Sequence, residues 1–143
     1  MHESIVVASD VIVRNNDKIL IVKRGKQPYK GMFCLPGGRH EKGETIEETA
    51  LREVREEACI EIELKEILGV YSSTDRDPRF HALTVVFIAN LTKGEAKAGS
   101  DAKEILWIRP EEINFQLAFD HNKIIKDYLK WLKEKQTFWS SKN

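Results

Sequence analysis

Three glutamates in one short stretch could hold a metal ion. Glu53, Glu56 and Glu57 lie in the run Gly37 to Ile60, GGRHEKGETIEETALREVREEACI. If that run is helical, Glu53 and Glu57 stand one turn apart, about 6 Å along the axis. At about 100° per residue, all three carboxylates share one arc. Like charges at that spacing destabilise a helix by roughly a few tenths of a kcal/mol. A cation would turn the repulsion into coordination. Hard carboxylate oxygens suit Mg²⁺, with Mn²⁺ as the alternative, rather than a soft metal. A solvated acidic face is the plainer account of the same residues, because exposed charged helix faces are common.

The surrounding residues are those needed to position such a site. Thr45 and Glu48 form a capping box, which predicts a helix beginning at Ile46. Ile46, Ala50, Leu51, Val54 and Ala58 fall in one apolar arc that should face a core. Arg52 sits one turn before Glu56 and can neutralise or orient it. Glu44 stands in the preceding loop, where it can join or brace the carboxylates. Gly37, Gly38 and Gly43 allow a tight turn and bring backbone close to a ligand.

Taken together, Gly38, Glu44, the run Arg52-Glu53-Val54-Arg55-Glu56-Glu57 and Cys59-Ile60 resemble the Nudix box. The one departure is Cys59, where the family usually has glycine. That position follows the helix and is often left-handed, where a side chain costs about 1 kcal/mol. The resemblance implies Glu53, Glu56 and Glu57 as metal ligands, with Arg52 and Glu44 supporting them. It implies an α/β (α+β) fold, an α/β/α sandwich with a mixed β-sheet between helices. It also implies a hydrolase that cleaves a nucleoside diphosphate linked to another group. A homodimer is expected on the same resemblance.

Composition sets outer limits. The chain has 143 residues, which suits one domain with its own core. Lys plus Arg and Asp plus Glu each number 23, so no basic excess points to nucleic acid. The apolar runs are too short to span a membrane. The N-terminus reads straight into a strand, with no signal peptide visible. Cys34 and Cys59 have neither disulfide nor zinc spacing and read as reduced thiols. A cytoplasmic enzyme acting on a small molecule is the expectation.

Along the chain, Ser4 to Arg14 and Ile19 to Val22 read as a hairpin around the turn Asn15-Asn16-Asp17. Glu61 to Ser72 suggests a strand with a break. Leu83 to Leu91 is the strongest central strand, Thr92 to Lys103 reads as a loop, and Ile105 to Ile108 as a short strand. Pro110 begins a helical turn, and Asp120 to Lys135 reads as an amphipathic helix. Residues 137–143 are expected to form a polar tail, apart from Phe138 and Trp139.

Substrate choice is read from loops outside the box. Asp75-Arg76-Asp77-Pro78-Arg79-Phe80-His81 offers two guanidinium forks for phosphate, a proline to stiffen the loop, and a histidine donor. It is similar to the Arg-Asp-Pro-Arg-x-His run of small prokaryotic ADP-ribose pyrophosphatases. Phe80 stands where that subgroup often has glycine. Phe119-Asp120-His121 also resembles the subgroup, although Asp120 is explained as a helix cap. A charged surface loop is the plainer account of the arginines. Expected binding residues are therefore Arg76, Arg79 and His81, with the Gly37-Gly38 backbone close to the ions. Tyr29 and Phe33 are candidate adenine neighbours, while Trp131 and Trp139 read as packing residues.

The implied reaction is Mg²⁺-dependent hydrolysis of ADP-ribose to AMP and ribose 5-phosphate. Glu53 and Glu57 are base candidates inside the box. Outside it, Glu104 leads, with Glu95 and Asp101 behind. Two alternatives stand beside this reading: a Nudix hydrolase of ordinary or oxidised nucleoside triphosphates, and a catalytically inactive nucleotide-binding module.

Overall fold

The computed structural model describes residues 4–99 and 102–143. The N-terminal hairpin forms as expected. Strand β1 (Val6–Asn15) turns into β2 (Lys18–Arg24) through Asn16, whose φ of 58° is one that asparagine tolerates better than most residues. Two short strands follow, β3 (Phe33–Cys34) and β4 (Gly37–Arg39). Helix α1 (Ile46–Ala58) then starts where the capping box predicts, with both reciprocal bonds of Thr45 and Glu48 made. Strands β5 (Glu61–Tyr71), β6 (Ala82–Lys93) and β7 (Ala102–Ile108) lead through a 3-10 turn, Pro110–Glu112, to helix α2 (His121–Glu134) and strand β8 (Phe138–Trp139).

The sheet is mixed. Its order is β3-β2-β1-β6-β5-β8, with β4 on β1 and β7 on β2. β1 lies parallel to β6, and β2 antiparallel to β1. Alternation along β1 explains the layers. Ile12 faces one way, into a core with Ile124, Tyr128 and Trp131 of α2. Val11 and Val13 face the other way, onto Ala50, Val54 and Ala58 of α1. A helix therefore covers each face, as the expected sandwich requires. The break read in the fifth strand is a set of register shifts, at Leu64/Glu66 and Ile67/Gly69, within one continuous element. β7 begins earlier than expected, at Ala102.

The last segment differs from the polar tail expected of it. Phe138 is buried among Leu68, Tyr71 and Ile124. Phe138 and Trp139 pair in parallel with Gly69 and Val70 of β5. One buried aromatic is enough to dock a segment whose other residues are polar. Gly69 makes room for it, since a Cβ there would lie 2.2 Å from the Phe138 carbonyl oxygen.

Candidate active site

Arg52 is the hub of the acidic helix. Its Nη2 donates to Glu44 Oε1 at 2.8 Å and to the Arg39 carbonyl at 2.9 Å. Its Nε donates to Glu44 Oε2 at 3.1 Å. Its Nη1 donates to Glu53 Oε1 at 2.7 Å and to Glu56 Oε1 at 3.3 Å. The planar fork thus ties loop, strand end and helix together. Glu44 also accepts from the Thr49 hydroxyl at 2.8 Å and the Glu41 N–H at 2.9 Å. With the Arg52 bonds leading, these donors bring the Glu44 carboxyl down to about 2.

Glu53 and Glu57 meet on the inner side of α1 and share a hydrogen bond. Burial pushes the Glu53 carboxyl up, against the pull of Arg52. Burial, and then the charge of Glu53, push Glu57 well above its ordinary value. Both carboxyls are thus pushed towards their protonated forms, Glu57 the more strongly. The Gly37 N–H donates to Glu57.

Glycine is required beside this pair. A Cβ at Gly38 would lie 2.4 Å from the Glu53 carboxyl, and one at Gly37 would lie 2.4 Å from Asp10 Oδ1. Both glycines sit in β4, held against Ser9 and Asp10 of β1.

Asp10 is the group that sequence reasoning missed. Its only local signal is a lone charge inside a strand rich in Val and Ile. The Thr84 hydroxyl donates to Asp10 Oδ2 at 2.7 Å. Arg76 Nη2 lies 3.9 Å from the same oxygen, and His121 Nε2 lies 3.7 Å from it. His121 Nδ1 accepts the Leu35 N–H at 3.0 Å, so the ring proton sits on Nε2, facing Asp10. Burial pushes the Asp10 carboxyl up, but His121, Arg76 and Thr84 more than offset this and leave it below its ordinary value.

The expected binding residues part company here. Arg76 is turned inward and grips Asp120, Nε to Oδ2 at 3.0 Å and Nη2 to Oδ1 at 2.8 Å. Asp120 does stand at the first position before α2, but its side chain caps nothing. A paired, charge-assisted bond to a guanidinium outweighs one bond to a backbone N–H. Arg79 faces the cleft and is steadied by Asp77 at 3.1 and 2.9 Å. His81 Nε2 lies 2.9 Å from the Ser72 carbonyl oxygen and does not line the cleft. Glu104 sits on β7 in an ion pair with Lys23 at 2.8 Å, and it too is absent from the cleft wall. Asp101 lies outside the described residues. Tyr29 packs edge-on against Phe119, 4.8 Å between ring centres, and Phe33 lies near Phe115.

A cleft of about 290 Å³ opens beside Asp10, Glu53, Glu57, Arg76 and Arg79. Glu53, Glu57 and Asp10 are among the carboxylates on its wall. Val6 and Ala8 continue along β1 towards Phe80 and Arg79, while Arg24 and Phe119 line another part of the wall. The Phe80 ring carries two guanidinium groups, Arg79 at 4.6 Å and Arg39 at 5.4 Å from its centre.

Among the described residues, no three His, Cys, Asp or Glu side chains already converge as a ligand set. Arg52 engages Glu53 and Glu56 instead. The donor chemistry nonetheless fits a hard divalent cation. Two half-buried carboxyls meet on the cleft wall, and glycine backbone lies against them without side chains.

A family model described as NUDIX domain matches residues 5–132, and this chain belongs to the Nudix family as a Nudix hydrolase. Among curated relatives, it is 51% identical to the ADP-ribose pyrophosphatase of Methanocaldococcus jannaschii, over 87% of this chain and 73% of that one. Among solved structures, a NUDIX hydrolase from Nitrosomonas europaea superposes with a TM-score of 0.82 at 26% identity, covering 98% of this chain and 80% of that one. A bifunctional NMN adenylyltransferase/ADP ribose pyrophosphatase from Francisella tularensis, complexed with AMP and a Mn ion, superposes with a TM-score of 0.78 at 30% identity. That match covers 90% of this chain and 42% of the other. No helix among the described residues is long and apolar enough to cross a membrane.

Proposed function

We propose that this chain hydrolyses the diphosphate linkage of ADP-ribose, releasing AMP and ribose 5-phosphate. The observation that carries the substrate is the 51% identity, over 87% of the chain, with an ADP-ribose pyrophosphatase. The cleft supports it, with carboxylates, guanidinium groups and aromatic rings all on its wall. We take Mg²⁺ as the working cation, with Mn²⁺ able to replace it, and expect a cytoplasmic homodimer by family resemblance.

Glu53, Glu56 and Glu57 would hold the divalent cation, which supplies charge neutralisation at phosphate oxygens and a more acidic bound water. The chain's own groups do the rest. Arg52 fixes the Glu53 carboxylate and leaves its second oxygen for the site. Gly37 N–H fixes Glu57. Arg79 offers a guanidinium to the diphosphate from a loop anchored by Asp77. We take Glu57, on the cleft wall, as the acceptor for a proton leaving the attacking water. Arg76 also lines the cleft, with its guanidinium gripping Asp120.

The test is Mg²⁺-dependent release of AMP from ADP-ribose, run beside FAD, NADH, diadenosine polyphosphates and nucleoside triphosphates. Preferential turnover of ADP-ribose is expected. A strong preference for a triphosphate would sink the substrate and keep the acidic helix. No turnover of any of them with metal bound would favour a binding module.

A further inference from the structure

Residues 138–142 lie beyond the part of the chain that the family model matches, which ends at residue 132. They nevertheless touch the loop that carries Arg76, Asp77, Arg79 and Phe80. Ser140 Oγ accepts two successive backbone N–H groups, Ser72 at 2.8 Å and Ser73 at 3.1 Å. A serine hydroxyl has two lone pairs, and both are used here. These two residues are where β5 ends and the loop begins.

The same hinge is fixed from two other directions. The Ser72 carbonyl lies 2.9 Å from His81 Nε2, which closes the loop base from its far end. The Ser73 carbonyl accepts the Arg76 N–H at 3.2 Å. Ser140 is itself held in place. Phe138 is buried and paired with Gly69, and the Lys142 carbonyl accepts Lys123 Nζ at 2.8 Å. The Lys142 N–H donates back to the Trp139 carbonyl at 3.0 Å, curling the segment into a turn around Ser140.

We propose that Ser140 is a positioning residue for substrate binding: its hydroxyl sets the base of loop 72–81 and thereby the placement of Arg79 and Phe80 in the cleft. This rests on the reading that the cleft binds a diphosphate substrate. The hydroxyl touches no cleft-lining side chain, so its effect runs through the backbone of the loop. It does not reach the carboxylates of α1, so it should govern affinity and leave the chemical step alone.

The experiment compares wild type, Ser140→Ala and Ser140→Thr. It measures KM and kcat for ADP-ribose with Mg²⁺, and hydrogen exchange at the Ser72 and Ser73 amides. Alanine keeps Phe138 docked and removes only the acceptor. The expected result is a KM about three- to tenfold higher with kcat within about twofold, from the loss of two neutral hydrogen bonds. The two amides should exchange faster, and threonine, which keeps the hydroxyl, should restore both readouts. An unchanged KM, a loss confined to kcat, unchanged exchange, or failure of threonine to restore would each overturn the proposal. Wild-type turnover of ADP-ribose separates the two readings. If it is absent, the substrate reading fails; if it is present and Ser140→Ala behaves as wild type, only Ser140 does.

Discussion

Arg76 and Asp120, 44 residues apart, meet fork to fork through two hydrogen bonds of 3.0 and 2.8 Å. The Arg76 side chain is only 4% exposed, so the pair joins the loop after β5 to the start of α2 from inside the protein. Breaking a buried pair from one side leaves the other charge uncompensated. Asp120→Ala should therefore cost about 3 kcal/mol of unfolding free energy in a denaturant titration. A loss below about 0.5 kcal/mol would mean that Asp10, 3.9 Å from Arg76, carries the guanidinium alone.

Glu57→Gln should lower kcat/KM for ADP-ribose by about 10²- to 10⁴-fold, the range for removing a group that takes a proton. The same change should stabilise the metal-free protein. Burial and Glu53 raise the folded-state value of the Glu57 carboxyl above its ordinary 4.5. A raised carboxyl weakens the fold as pH climbs through and above its unfolded value, because ionising it is harder in the fold. Melting temperatures of both proteins in EDTA should diverge from about pH 4.5 upward, with glutamine the more stable. Parallel curves would contradict the buried, proton-sharing pair.

Glu44 carries the opposite sign. Arg52 and Thr49 bring its carboxyl from 4.5 to about 2. Its stabilising effect is complete above 4.5 and fades as pH falls towards 2. Wild type should out-melt Glu44→Gln at neutral pH, and the gap should close across that acidic window. A gap that persists at the acid end would point to packing in place of charge.

Cys59 adopts φ 60° and ψ 34° at the end of α1, the left-handed conformation expected where the family usually has glycine. Cys59→Gly should add about 1 kcal/mol to stability, after allowing for glycine's freer unfolded chain. Equal or lower stability would show that the Cys59 side chain contributes something besides strain.

Glu104 pairs with Lys23 on β7 and does not line the cleft. If Glu57 is the proton acceptor, Glu104→Gln should leave kcat within about threefold, as expected of an exposed ion pair. A fall of 10²-fold or more would make Glu104 the base and leave Glu57 as a ligand only.

What the sequence made legible was local. The capping box, the Ile46 start and the left-handed Cys59 each depend on residues within one turn, and periodicity set the faces of α1. Contacts between distant segments were not legible. Asp120 has the right type and place for a cap, yet Arg76 takes its carboxylate. Asp10 drew no reading from the sequence, because Thr84, Arg76 and His121 reach it only after the sheet forms. Phe138 stood out from the polar tail around it but had no visible partner, because the room made for it at Gly69 lies in a strand far earlier in the chain.

The two cysteines differ in a way that is useful in practice. Cys34 is buried, and burial raises its thiol far above the ordinary range, while Cys59 is exposed at the end of α1. A maleimide dye should therefore attach to the folded protein once, at Cys59, with no engineered cysteine. That places a fluorescent reporter at the foot of the helix carrying Glu53 and Glu57, ready to follow cation arrival in real time.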